Sequence, residues 1–338
     1  MSASSENVQE TPSASYTVKL NASVALKLAN IGESSPNSNI CGPIYGFDGV
    51  ESNIISVTHT IQFPVNGSGD DFFLLKSGNS RFQNDYLAKL RGAKITANLL
   101  GWFVSSTAGN FVSQTVLEAL YGLQQTIRNN KSEIPSLLIV YDPLKSADGY
   151  LNLKCYKLSD AFLETIESDN KFIAKNLIEN KLSYKNILEE LPVVIKSNHL
   201  INLKIQELDL SNSDNLSIKP ATFDNIKHSA EQLNDAVNHL NHNLGNFNYF
   251  QRNMSRDIAK INKWEAKIEE ENDELLKSNP NAKIQSPDWR KEFKLMAPSS
   301  KYEYLIATSA VNNICNNMQT TENIELVKTT GLKDSLAL

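Results

Sequence analysis

Residues 99–120 read LLGWFVSSTAGNFVSQTVLEAL, and the reading of this stretch decides the fold. Leu99 to Val104 is an apolar run of strand length. Ser105 to Asn110 is small and polar, which is turn chemistry, and from Ser113 onward the apolar residues fall at helical spacing. A strand delivered through a turn into a helix belongs to an α/β domain, and such a turn is a place where chemistry can be carried. What Val104, Ser105 and Ser106 can do there separates an enzyme from a scaffold.

The alternation of patterns continues on both sides, from Tyr16 to about Ser168. It predicts an amphipathic segment over Val24–Ile31, strands over Ile40–Tyr45 and Ile54–Phe63, and a helix over Asn84–Arg91. Strand Leu99–Val104, helix Ser113–Arg128 and strands Leu137–Tyr141 and Tyr150–Tyr156 follow. Asn66-Gly67-Ser68-Gly69-Asp70-Asp71 and Ser146-Ala147-Asp148-Gly149 are turn sequences. Residues 1–15, rich in Ser, Glu and Thr and without periodic apolar positions, read as a disordered tail. Residues 16–168 are therefore expected to form one α/β domain. Residues 169–220 read as a connector packed on it, with helical stretches and a strand candidate at Pro192-Val193-Val194-Ile195. Because the alternating elements can supply their own core, residues 16–220 are expected to fold alone.

Past Pro220 the character changes. Between Thr222 and Ser278 there is no proline, and apolar residues fall at Phe223, Ile226, Ala230, Leu233, Val237, Leu240, Leu244 and Phe247, then at Met254, Ile258, Ile261 and Ile268. Alternating steps of three and four make a heptad seam. A continuous helix of this extent is on the order of 80 Å long at 1.5 Å per residue, so it is expected to project as a bundle or coiled-coil arm. Gly245 is a place for it to bend. A second seam, Tyr304, Thr308, Val311, Cys315 and Met318, follows the cap candidates Ser299 and Ser300. The loop Asn279–Pro298 lies between the two. A narrow stripe on so long a helix outruns a single shorter partner, so Leu233, Val237, Leu240, Leu244, Phe247, Val311 and Met318 are interface candidates for helices of other chains.

Composition narrows the function classes. With 338 residues and 41% hydrophobic content the chain can bury a substantial core. Its net charge of −5 supplies no basic field for autonomous nucleic-acid binding. Cys41, Cys155 and Cys315 are widely spaced, which suits buried small hydrophobes in a reducing compartment rather than a disulfide framework. No apolar run approaches the ~18 residues that a membrane span needs, and the first residues lack a signal-peptide pattern. A membrane role is not expected, and the cytoplasm is. His239 and His242 lie three apart on the long helix without a supporting carboxylate or cysteine, so they read as a solvated face.

Gly101-Trp102-Phe103-Val104-Ser105-Ser106, with Asn39-Ile40-Cys41-Gly42 before it and Tyr141-Asp142-Pro143 after it, resembles the MPN (JAMM) domain family. Active members of that family are zinc isopeptidases. Their strand ends in His-x-His, followed after seven residues by Ser-x-x-Asp, with a Glu on an earlier strand. Alternate residues of a strand share a face, so His-x-His aims two imidazoles at one ion, and the Asp completes the protein ligands. The Glu takes the proton of the metal-bound water, and the Ser hydroxyl can stabilise the oxyanion. In this chain the two His positions are Val104 and Ser106, the Asp position is Leu117, the Ser position is Gln114 and the Glu position is Asn39. The resemblance thus implies a degenerate zinc site with no metal, cofactor or catalytic residue, a pseudoenzyme.

Three separated blocks carry the resemblance further. They are residues 138–149 (LIVYDPLKSADG), residues 188–202 (LEELPVVIKSNHLIN) and residues 250–255 (FQRNMS). In this order they resemble the h-subunit family of eukaryotic translation initiation factor three. This implies a noncatalytic scaffold in that multisubunit factor, paired through its MPN domain with the MPN-containing f subunit and through its C-terminal helices with other subunits. Contact with the small ribosomal subunit and mRNA would come through the complex. An inactive MPN scaffold of the proteasome lid or of the COP9 signalosome is the alternative.

Overall fold

The computed structural model describes residues 16–34, 40–49, 53–64, 77–129, 134–146, 151–168, 172–207, 223–278, 293 and 300–336. The turn at residues 66–71, the tail 1–15 and residue Asn39 lie outside these, as do most of the turn at 146–149 and most of the loop 279–298.

Among the described residues, eight strands make one sheet: β1 (Thr17–Asn21), β2 (Ile40–Gly49), β3 (Ile54–Thr60), β4 (Asn98–Ser105), β5 (Leu137–Tyr141), β6 (Leu153–Leu158), β7 (Leu188–Leu191) and β8 (Val193–Lys196). Their order across it is β7-β6-β5-β4-β2-β3-β1-β8. The two outermost strands are consecutive in the chain, with only Pro192 between them. One residue spans about 3.5 Å, so the two edges must lie close together and the sheet must roll up on itself. Pro192 has no N–H to leave unpaired at this seam, and its carbonyl accepts from Val18 N at 2.9 Å. The segment 188–196 therefore does more than pack on the domain, since it supplies both edge strands. β7 (LEEL) and β1 (TVKLN) escape a pattern-based reading because each carries only two apolar residues, whereas the equally short β5 and β8 carry continuous apolar runs.

The helices are α1 (Ala22–Ser34), α2 (Ser77–Gly92), α3 (Gln114–Asn129), α4 (Pro143–Ser146), α5 (Asp160–Glu167), α6 (Ala174–Glu179), α7 (His199–Glu207), α8 (Phe223–Ser278) and α9 (Tyr302–Leu336). All five residues of β5 are buried, as a strand covered on both faces requires. Leu138 and Val140 enter one apolar cluster, with Trp102 and Val104 of β4, α3 and α5. Leu137 and Ile139 enter a second, with Phe103, β1, β3 and α1. Gly101 is required where β4 meets β5, because a Cβ there would lie 1.8 Å from the Leu137 carbonyl oxygen.

α8 runs through Gly245 as one helix of 56 residues, roughly 84 Å long. A Cβ at Gly245 would meet nothing within 4 Å, so no close approach calls for glycine there. α9 is no free arm. Leu305 and Ile306 belong to the same cluster as Val104 and Leu117, Ile314 is fully buried, and the Tyr302 ring lies 4.5 Å from that of Phe172. Its buried stripe, Leu305, Ile306, Ser309, Ala310 and Ile314, is out of phase with the seam read from sequence: Tyr304 and Cys315 are exposed. The apolar residues of α9 are nearly all-round, so spacing alone did not say which face meets the α/β layer. Of the three cysteines only Cys155 is buried, Cys41 being half-buried and Cys315 exposed. Burial pushes the Cys41 thiol up to about 12, which makes it inert. Among the described residues no helix is long and apolar enough to cross a membrane.

Candidate functional site

The turn after β4 is held open by local chemistry. Ala108 and Gly109 take left-handed backbone, with φ of 59° and 78°, which reverses the chain within a few residues. Ser113 then caps α3: its hydroxyl accepts from Val116 N at 3.3 Å, one of the orphan donors of a helix start.

Of the five positions matching the zinc-site pattern, the four that are described do not converge on a metal site. Val104 and Leu117 are both fully buried and belong to one apolar cluster, so the two would-be ligand positions are part of the core. Ser106 is buried too, but its hydroxyl donates to the carbonyls of Asn110, at 2.9 Å, and Thr107, at 3.3 Å. Its amide donates to the Tyr141 carbonyl at 3.0 Å. Gln114 lies on the exposed side of α3 and donates to the Glu118 carboxylate at 2.7 Å. Asn39 is outside the described residues. Among the described residues no group of three His, Cys, Asp or Glu is placed to hold a metal. His239 and His242 are both exposed on α8. Neither valine nor leucine has a lone pair to offer, so the purified protein is expected to contain well under 0.1 equivalent of zinc by elemental analysis and to cleave no ubiquitin chain. Near one equivalent, lost on chelation together with an activity, would overturn this.

What the turn does hold is the pair of C-terminal helices. The Thr107 hydroxyl lies 3.1 Å from His228 Nε2 of α8. Gly109 sits under α9, where a Cβ would come within 3.1 Å of the Asn313 carbonyl and of the Asn317 side chain. Asn317 Nδ2 donates to Asp142 Oδ2 at 3.2 Å, and the Lys145 ammonium donates to the Thr320 hydroxyl. Asp142 is 6% exposed, and burial pushes its carboxyl above the ordinary value, opposed by hydrogen bonds from Asn317 and from the Lys145 and Leu144 amides. The carboxylate both starts α4 and fastens α9. These docking residues were not singled out in the sequence; the doublets Asn312-Asn313 and Asn316-Asn317, four apart and so on one helix face, were the available signal.

The interface candidates are only partly covered. Leu233, Val237, Leu240, Phe247, Val311 and Met318 are half-buried and Leu244 is 41% exposed. Among the described residues α8 and α9 make the most extensive helix–helix pairing, yet Ile226, Tyr249 and Ile258 of α8 and Leu326 and Val327 of α9 remain exposed. One short partner cannot cover a stripe of that length.

Residues 146–335, more than half of the chain, match the family described as the C-terminal region of eIF3h. Over 88% of its length the chain is 27% identical to the H subunit of eukaryotic translation initiation factor 3 from Yarrowia lipolytica, covering 92% of that protein. The corresponding protein of Emericella nidulans is 27% identical over 87% of this chain and 88% of its own length. That of Nematostella vectensis is 25% identical over 85% and 83%.

Proposed function

The chain belongs to the eIF3h family, and from that premise we propose that it is a noncatalytic scaffold subunit of eukaryotic translation initiation factor 3, working in the cytoplasm. Its α/β part, residues 16–168 with the segment to 220, is an MPN-type domain that pairs with the MPN-containing f subunit. Its C-terminal region, residues 221–338, joins helices of other subunits. Contact with mRNA and the small ribosomal subunit comes through the assembled factor.

The observation that carries the noncatalytic reading is the packing of Val104 and Leu117. Both sit at 0% exposure in one apolar cluster, where a zinc enzyme would need ligands and an open water position. The half-buried seam of α8 supports the scaffold role, because an apolar stripe of this extent is an interaction surface. Affinity purification of the tagged full chain with mass spectrometry is the test. Recovery of the initiation factor 3 subunits, the f subunit among them, is expected. Recovery of proteasome-lid or signalosome subunits in their place would overturn the reading.

A further inference from the structure

Between α9 and the ends of β5 and β6 runs a cleft of about 510 Å³, a volume within the range of small-molecule sites. Ser106 and Gly109 of the turn line it, while the packed positions Val104 and Leu117 do not. Three kinds of group meet in it. The first is aromatic: Phe111 and Tyr156 line the cleft and are stacked, ring centres 5.1 Å apart and planes 22° from parallel. The second is a double row of amides, Asn312, Asn313, Asn316 and Asn317, presented by one face of α9. The third is cationic, Lys145, Lys154 and Lys185.

Two carboxylates, Asp142 and Glu190, also line the cleft, so three cationic side chains face two anionic ones. Both oxygens of Asp142 are engaged, Oδ1 by the amides of Leu144 and Lys145 and Oδ2 by Asn317. Glu190 is paired with Lys154 at 3.2 Å. The Lys145 ammonium stands at the α9 wall, on the Thr320 hydroxyl. Lys185 lies on the exposed rim, its ammonium 5.7 Å from the centre of the Tyr184 ring. An aromatic surface suits a flat heterocycle. Amides that donate and accept suit the edge of a base. Ammonium groups suit a phosphate.

We propose that this cleft binds a mononucleotide, its base between the Phe111–Tyr156 pair and the asparagines of α9, its phosphate at Lys145 and Lys185. One wall belongs to α9 and the other to the α/β layer, so the bound nucleotide bridges the two and adds to the Asp142–Asn317 tie.

Titration calorimetry of the full chain with the four ribonucleoside 5′-monophosphates tests this, with adenosine and inorganic phosphate as controls. At least one nucleotide is expected to bind ten times more tightly than either control. Lys185→Glu, on an exposed rim residue, is expected to weaken it at least tenfold, and Asn316→Ala threefold or more. Lys204→Glu on α7, a residue that does not line the cleft, should change nothing. Hydrogen exchange over 312–320 should slow when the nucleotide is added. The inference is overturned if no nucleotide binds better than inorganic phosphate, or if Lys185→Glu binds as the parent does. It is also overturned if a short single-stranded RNA binds while no mononucleotide does. None of these results depends on which subunits copurify, so the inference and the scaffold reading can fail separately.

Discussion

A chain ending at residue 220 is expected to be unfolded or barely folded, with a melting temperature at least 10 °C below that of the full protein. The reason is the position of α9. Tyr302, Leu305, Ile306 and Ile314 would leave with it, and Leu305 and Ile306 are members of the main apolar cluster. Each large side chain of this kind contributes roughly 1.5–3 kcal/mol on burial. The sum is on the order of 6 kcal/mol or more, comparable with the whole stability of an ordinary domain, about 5–15 kcal/mol. The loss also uncovers Phe172, whose ring meets Tyr302 and whose carbonyl accepts from Lys301 N at 3.0 Å. Circular dichroism of the two chains decides it. A cooperative transition in residues 1–220 within a few degrees of the full protein would show that the α/β layer needs no roof, which is what the sequence pattern alone suggests.

Replacing Leu233 and Val237 together by Asp is expected to act in the opposite way, sparing the isolated protein and removing it from its assembly. Both are half-buried against solvent in the single chain, so the aspartates keep part of their hydration and the melting temperature should fall by only a few degrees. Once helices of other subunits close over the seam, each carboxylate would be desolvated, at a cost of several kcal/mol. Copurification with the other subunits should drop at least tenfold while the α/β spectrum is unchanged. Hydrogen exchange over 223–278 sharpens the comparison. Weak protection in the isolated chain that rises in the complex is expected, and full protection in the isolated chain would sink the intermolecular bundle.

Much of the candidate site was legible because the signals are local. Leu99 to Leu120 carries a strand, a turn and a helix within 22 residues, and β4, the φ-positive pair Ala108–Gly109 and the capped start of α3 stand where that text puts them. That Val104 and Leu117 offer no donor atoms needed no geometry either, since their side chains have none in any conformation. Other features were not legible. β7 and β8 fall on opposite edges of one sheet although one residue separates them, because strand pairing is settled by partners far away in sequence. On α9 the seam of Tyr304, Thr308, Val311, Cys315 and Met318 looked as good as the stripe that is buried, because several faces of that helix carry apolar groups.

The amino-acid sequence by itself determined the alternation of the first half, the proline-free helix of the second, and the apolar character of Val104 and Leu117 at the turn, each through properties that a residue carries wherever it is placed. Only the tertiary structure decided that α9 belongs to the core of the α/β layer, that Asp142, Thr107 and Gly109 are among the points where the two halves meet, and that the Asn-rich face of α9 closes a cleft with Tyr156 and three lysines. The physical reason is sequence separation. Asp142 and Asn317 are 175 residues apart and Thr107 and His228 are 121 apart, and a hydrogen bond across such a distance leaves no periodicity in either segment. It exists only because burying Leu305, Ile306 and Ile314 releases enough free energy to bring the two segments together.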